Sequence, residues 1–180
     1  MTRPGLIPLA IFITIILLLP GCLVIEKIGY SIELNDDGSG TATVMFHDIR
    51  SDAIGNNEFE EDKDALFNYI LRSSELKESM LSEGKDVSLR ELEVRDGKLY
   101  GKAVYTFKDI TRVEGLRREA GFIYMTMQVE DSLQYTNGKV VVSEEYRRIL
   151  WDDKAKRIEF EVLSAASESV TQSLAPFYKK

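Results

Sequence analysis

Apolar and polar residues alternate along much of the chain, which is the pattern of β-strands that bury one face. Residues 24–34 show this pattern first, and a polar, glycine-rich turn at 35–40 leads into a second alternating stretch at 41–46. Asp96–Gly97 and Asn137–Gly138 are dipeptides typical of two-residue hairpin turns. The pattern therefore predicts an antiparallel sheet built from hairpins.

Residues 59–83 have a different period. Their apolar side chains recur at helical spacing until Gly84. This spacing predicts one long amphipathic helix packed on the sheet, and the fold class is α+β with a single domain. A short helix is expected from Asp109 or Thr111 to Gly121 and a terminal helix within 164–178, whereas 144–153 fits either a strand or a helix.

The first residues have the three parts of an export signal. Arg3 precedes a 14-residue, largely apolar run at 6–19, and Pro20 and Gly21 separate that run from Cys22. We predict a signal peptide over 1–21 and an extracytoplasmic domain over 22–180. Two alternatives stay open: 6–25 is long enough to span ~30 Å of hydrocarbon as a retained helix, or the protein is secreted without an anchor.

The sequence Leu-Leu-Pro-Gly-Cys at 18–22 resembles the lipobox of bacterial lipoproteins, although Pro20 departs from the usual residue. The resemblance implies that Cys22, the only cysteine, is acylated and anchors the domain on the extracytoplasmic face of a membrane. The residue after Cys22 is Leu23, which is similar to the pattern of outer-membrane lipoproteins. Both the cell membrane and the outer membrane remain possible locations.

The net charge, the single histidine and the acidic turn at 35–40 bear on which functions the chain could have. The chain of 180 residues has 23 Lys and Arg against 30 Asp and Glu, a net charge of −7, so nucleic acid is not an expected partner. His47 is the only histidine, and its neighbour Asp48 would point to the opposite face of a strand. Residues 35–40 resemble the start of a calcium loop, but Phe46 stands where the loop needs glutamate. We expect a protein without catalysis, metal or cofactor; hydrolysis by carboxylates alone stays open.

Aromatic and methionine side chains are the remaining lead. In a groove between sheet and helix they would bind a lipid, a glycolipid or another apolar ligand, whereas in an ordinary core they would only pack. The proposed ligand-binding residues are Tyr105, Phe107, Phe122, Tyr124, Met125, Met127 and Tyr135. Basic residues that could contact anionic headgroups are Arg112, Arg117, Arg118, Arg147, Arg148, Lys179 and Lys180.

The alternative function is that of a scaffold lipoprotein without a small ligand. In that case an exposed sheet edge or the acidic face of the helix would dock another envelope protein.

The stretch at 30–44, with its Asn-Asp-Asp-Gly-Ser-Gly turn, resembles the opening of the LppM-like bacterial lipoproteins, and 105–110 resembles the strand-to-helix step of the same family. The resemblance extends over about residues 22 to 130. It implies an antiparallel sheet wrapped on a helix and a role in binding envelope glycolipids. No functional residue is carried over from that family.

Overall fold

The computed structural model describes residues 23–129, 131–163 and 170–179. These residues form two antiparallel sheets and two short helices, α1 at Asn56–Asp64 and α2 at Ser74–Ser82. The strands are β1 Leu23–Leu34, β2 Gly40–Ser51, β3 Lys85–Arg95, β4 Lys98–Phe107, β5 Leu116–Glu119, β6 Phe122–Met127, β7 Leu133–Thr136, β8 Lys139–Val142, β9 Arg147–Asp152, β10 Arg157–Leu163 and β11 Gln172–Ser173.

The larger sheet has the order β3-β4-β2-β1-β10-β7, with β11 beside the end of β2. Its two sequential hairpins follow from turn chemistry. Asp96 and Gly97 both have positive φ, which is the geometry of a type I′ turn. At the other turn, the Asp37 carboxylate accepts hydrogen bonds from the Ser39 amide and hydroxyl. These bonds to the charged form lower the pKa of Asp37.

The smaller sheet, in the order β5-β6-β9-β8, covers part of one face of the larger sheet. Alternate residues of both sheets meet between them, so this part of the molecule is a β-sandwich. The Tyr30 and Phe160 rings stack at 4.6 Å, and the Trp151 ring lies 5.9 Å from that of Phe160. Fully buried aliphatic side chains surround them: Ile32, Ile110, Leu116, Ile123, Ile149 and Ile158.

The helices pack against the remaining part of that face. Phe59 and Leu66 form a second core with Ile49, Leu92 and Leu99. Asp48, at φ 53°, interrupts the alternation of β2. Ile49 and Phe46 therefore both reach the space above Gly101, within 3.1 and 3.3 Å of where a Cβ would stand.

The prediction of one long helix on a single sheet is wrong. The segment at 59–83 divides into α1, a π-helical continuation at Ala65–Ile70, and α2. Ser73 is extended and caps α2 by accepting a hydrogen bond from the Leu76 amide. Arg90 of β3 donates to the Ile70 and Ser73 carbonyls, so a strand side chain satisfies groups at the break. The fold is mostly antiparallel β, with the helices as a minor layer.

The hairpin predicted at Asn137–Gly138 is also wrong, because β7 belongs to the larger sheet and β8 to the smaller one. A Cβ on Gly138 would lie 2.7 Å from both Ile149 and Trp151, so the chain passes directly against the core as it changes sheets. The Asn137 side-chain oxygen accepts hydrogen bonds from Trp151 Nε1 at 2.7 Å and from the Glu159 amide at 2.9 Å. These contacts hold a corner between sheets instead of a turn within one.

Three further expectations are corrected or decided in part by the structure. The short helix expected to end near Gly121 is only a 3-10 turn at Ile110–Arg112, and the chain then enters β5 after Gly115 at φ 74°. Residues 144–153, open between helix and strand, contain β9. The expected terminal helix falls partly outside the described residues; its described part contains β11 and a 3-10 turn at Ala175–Phe177.

Candidate functional site

The outer face of the smaller sheet carries an unusual combination of side chains. Strand pairing places Thr126 of β6 beside Arg148 of β9, and Arg148 beside Val141 of β8. The next row contains Tyr124 and Leu150, and Phe122 follows along β6. Because Ile123, Met125 and Ile149 point into the sandwich, the residues between them must point outward. Phe122 is 48% exposed there.

Arg148 lies at the centre of this face. Its guanidinium carbon is 4.8 Å from the centroid of the Tyr124 ring and 4.9 Å from that of the Tyr146 ring. Its Nε donates to the Thr126 hydroxyl at 3.0 Å. Two aromatic rings and one hydrogen bond therefore fix the direction of the guanidinium. We call these residues, Tyr124, Thr126, Tyr146 and Arg148, the arginine stack.

The terminal nitrogens of Arg148 take part in no hydrogen bond or ion pair with any of the residues that the structure describes. Ser143 helps to position Tyr146, since its hydroxyl accepts from the Tyr146 amide at 3.0 Å. The Tyr124 hydroxyl donates to the Glu119 carboxylate at 3.3 Å, so this nearby acid is bound to the tyrosine. A planar guanidinium held in this way can donate two parallel hydrogen bonds to a phosphate or carboxylate.

The predicted ligand-binding residues do not gather in one place. Tyr105, Phe107, Met125 and Met127 are buried in the sandwich core. Phe122 and Tyr124 lie together on the outer face of the smaller sheet, and Tyr135 is exposed on the larger sheet, where its hydroxyl donates to Glu159 at 3.3 Å. The structure thus brings two of the seven together with Arg148, one of the predicted headgroup contacts.

Tyr146 and Thr126 were missed by the sequence reasoning. Tyr146 lies in the segment 144–153, whose sequence pattern fits either a helix or a strand, so the pattern does not place this residue relative to a sheet. The alternation of Arg148 and Leu150 with Ile149 and Trp151 is the signal that would have identified β9. It would also have predicted that Arg148 faces outward, although not which strand lies beside it.

Two clusters of buried or half-buried polar side chains pair within themselves. Buried Ser51 donates to buried Asp62, whose pKa is raised by burial despite that hydrogen bond. Lys85 pairs with Glu114, and the other oxygen of Glu114 accepts from the Tyr105 hydroxyl at 2.9 Å. Burial and this carboxylate raise the pKa of Tyr105. Because these side chains satisfy one another, the Ser51–Asp62 pair and the cluster around Glu114 are suited to a structural role.

His47 lies on the outer face of the larger sheet, half-buried beside Lys27 and Glu161. Burial and Lys27 lower its pKa, while Glu161 opposes them. Within 23–129, 131–163 and 170–179, no three His, Cys, Asp or Glu side chains lie close enough to hold a metal ion.

The predicted signal peptide at 1–21, the lipidation residue Cys22 and the basic residue Lys180 lie outside the described residues. In the part of the chain that is described, no helix has the length and apolar character needed to cross a membrane. No protein-family model, curated protein or solved structure matches this chain.

Proposed function

We propose that this chain is a non-catalytic lipoprotein, anchored through Cys22 on the extracytoplasmic face of a membrane, whose domain binds the phosphate of an anionic lipid headgroup. The observation that carries the proposal is the arginine stack. Its guanidinium is oriented by two tyrosine rings, and its terminal nitrogens have no partner among the described residues. An oriented guanidinium with unoccupied terminal nitrogens is suited to donate two parallel hydrogen bonds to a phosphate.

The surroundings favour a lipid over a free anion. Phe122, Leu150 and Val141 share the outer face with the stack and give the phosphate site an apolar part of its border, while Lys139, which pairs with Leu150, adds a second cation. Tyrosine and arginine are side chains that combine apolar contact with a polar end, as the boundary between headgroups and acyl chains requires. A domain tethered at its N-terminus would also be held close to lipid headgroups.

The test is a titration of the full-length protein, held in zwitterionic nanodiscs, with dihexanoylphosphatidylglycerol. The backbone amide resonance of Thr126, which lies beside Arg148, reports binding in the wild type and in the variant alike. Arg148→Lys keeps the charge but loses the planar pair of donors, and we expect about tenfold weaker binding, since a hydrogen bond to a charged group contributes ~1.5 kcal/mol. Equal affinity in the wild type and Arg148→Lys would contradict the proposal.

Arg95→Lys is the matched control. Arg95 also lies over a tyrosine, Tyr100, at 4.4 Å, but its Nε is 3.4 Å from Glu93. Because that arginine already has an acidic partner, the control should bind the lipid as the wild type does. Inorganic phosphate, titrated separately, distinguishes a lipid site from a general anion site: comparable binding of both would show that the apolar border contributes nothing.

The anchor has its own test. Cys22→Ser should abolish metabolic labelling with a fatty acid and leave an unprocessed precursor of larger mass. Unchanged labelling and mobility would remove the anchor from the proposal while leaving the headgroup site to be judged by the titration.

A second candidate function, docking of an envelope protein, is favoured by one specific observation. Strand β8 forms the end of the smaller sheet, and its valines are exposed. A strand edge of this kind accepts a further strand through main-chain hydrogen bonds.

A further inference from the structure

Among the strands that the structure describes, β8 pairs only with β9, and it is unusually apolar for an edge strand. Its sequence is Lys-Val-Val-Val, and Val141 and Val142 are 39% and 61% exposed. Edge strands expose main-chain donors and acceptors, and proteins commonly protect them with charges, prolines or bulges. On β8 the only such device is Lys139 at its first position. The edge is therefore suited to receive another strand.

The sequence around β8 favours a second copy of the same chain. Lys139 lies at one end of the strand, and Glu144 and Glu145 follow its other end. In an antiparallel pair of two copies, Lys139 of each chain lies near the acidic end of the other, so opposite charges meet twice. A parallel pair would place lysine beside lysine and glutamate beside glutamate.

Side-chain direction restricts the register. Val140 pairs with buried Ile149 and lies on the inner side of the sheet, where it is still 39% exposed at this edge, whereas Val141 pairs with Arg148 and lies on the outer side. Residues that oppose each other across an antiparallel pair point to the same side. An outward residue must therefore face an outward residue of the second copy. Val141 opposite Val141, with Val140 opposite Val142, satisfies this condition and matches valine with valine throughout.

We propose that two copies pair through their β8 edges, antiparallel and with Val141 on the twofold axis, so that two four-stranded sheets become one of eight strands. The pairing itself does not depend on the proposed function. If that function is also correct, the two copies of Arg148 lie on the same face, three strand spacings or ~14 Å apart, and the dimer binds two headgroups at once.

Disulfide formation in the full-length protein in its membrane tests the pairing. The wild type contains only Cys22 and gives the background. Val141→Cys should form a disulfide-linked dimer under mild oxidation, because the two Cα atoms would lie within the range a disulfide spans. The matched control is Val94→Cys, on the edge strand β3 of the larger sheet, where the valine is 42% exposed.

Dimer formation by Val141→Cys above that of Val94→Cys supports the proposal, and equal amounts of dimer overturn it. A disulfide from Val141→Cys to a different protein also overturns the choice of a second copy. Co-expressed Val140→Cys and Val142→Cys should link to each other, which checks the register. Adding Arg148→Lys to Val141→Cys should leave the dimer unchanged, so failure of headgroup binding is distinguishable from failure of pairing.

Discussion

The outer faces of the two sheets follow the same alternation but differ in how their charges are arranged. On the larger sheet, cations and anions of neighbouring strands pair with each other: Lys27 lies 3.0 Å from Glu161, and Lys102 lies 3.7 Å from Glu91. On the smaller sheet, Arg148 is flanked by two tyrosines instead of an acid. The first face pairs these charges with each other, whereas the second holds the charge of Arg148 against aromatic rings.

Arg95 and Arg148 show this difference at the level of single residues. Both guanidinium groups lie over a tyrosine ring at similar distance, 4.4 Å for Arg95 and 4.8 Å for Arg148. Glu93 is next to Arg95, while the residue across the strand from Arg148 is Val141. An arginine–aromatic contact alone is therefore a poor sign of a binding site; whether an acidic side chain lies against the guanidinium is the more informative feature.

The largest expected effect separates the two faces of one strand. Ile149 is fully buried, and its neighbour Leu150 lies on the outer face. Ile149→Ala should lower the free energy of unfolding by roughly 2–5 kcal/mol, because it leaves a cavity in the sandwich. Leu150→Ala should cost about 1 kcal/mol or less. Denaturant unfolding of the full-length protein in detergent measures both, and similar losses would contradict the assigned directions of the side chains.

The next largest effect comes from making the smaller sheet resemble the larger one. Val141→Glu places a carboxylate across the strand from Arg148. We expect about tenfold weaker binding of dihexanoylphosphatidylglycerol, since the new acid competes for the guanidinium. Val141→Gln serves as the control of similar size without the charge. If both variants bind the lipid equally well, the absence of an acid at position 141 has no role in lipid binding.

A smaller effect tests the ion-paired face. Glu161 lies beside Lys27 and 4.0 Å from His47, and it raises the pKa of that histidine. Glu161→Gln should lower the pKa of His47 further and cost about 1 kcal/mol of stability, since the Lys27–Glu161 pair is at the surface but partly buried. NMR titration of the single histidine measures the shift. Glu91→Gln, which removes the partner of Lys102 on the same face, should leave the pKa of His47 unchanged.

The sign of the pH dependence follows from the same shift. The pKa of His47 lies below its ordinary value of 6.5 in the folded protein, so the unfolded chain binds the proton more readily. The contribution of His47 to stability is therefore complete above about pH 6.5 and is lost as the pH falls through the folded pKa. Glu161→Gln should increase this loss; a smaller loss would mean that Glu161 does not act on His47.

The smallest expected effect is a gain. Glu93→Ala removes the acid beside Arg95 and leaves its guanidinium over Tyr100. Because a second ring is missing and the side chain is half-exposed, we expect lipid affinity to rise by about twofold at most. Glu75→Ala, which changes an exposed acid on α2, is the control. A gain as large as the loss in Arg148→Lys would show that the second tyrosine is unnecessary.

Local sequence features predicted local structure well where short-range chemistry decides it. The turns at 35–40 and Asp96–Gly97 join paired strands, as their composition predicts. Asn137–Gly138 has the same turn preference, yet it connects two sheets. Its behaviour depends on Ile149 and Trp151, which contact Gly138 from a later part of the chain. A dipeptide cannot report such a contact.

The candidate site was predictable only in part, for a similar reason. The sequence predicts Phe122 and Tyr124 as ligand-binding residues and Arg148 as a contact to a headgroup, without indicating that the three lie together. Their proximity depends on the pairing of β6 with β9, which are separated in sequence by β7 and β8. The predicted ligand-binding residues also include Tyr105 and Phe107, which are buried between the two sheets.

By itself, the sequence determined the alternation that makes most of this chain β-strand, the short-range turns, the negative net charge and the prediction of an acylated N-terminus. Only the tertiary structure decided that the strands divide into two sheets, that the helical segment breaks at Ser73, and that one arginine lies between two tyrosines. The physical reason is that alternation fixes the two faces of each strand, whereas the strand beside it is chosen by packing between distant parts of the chain.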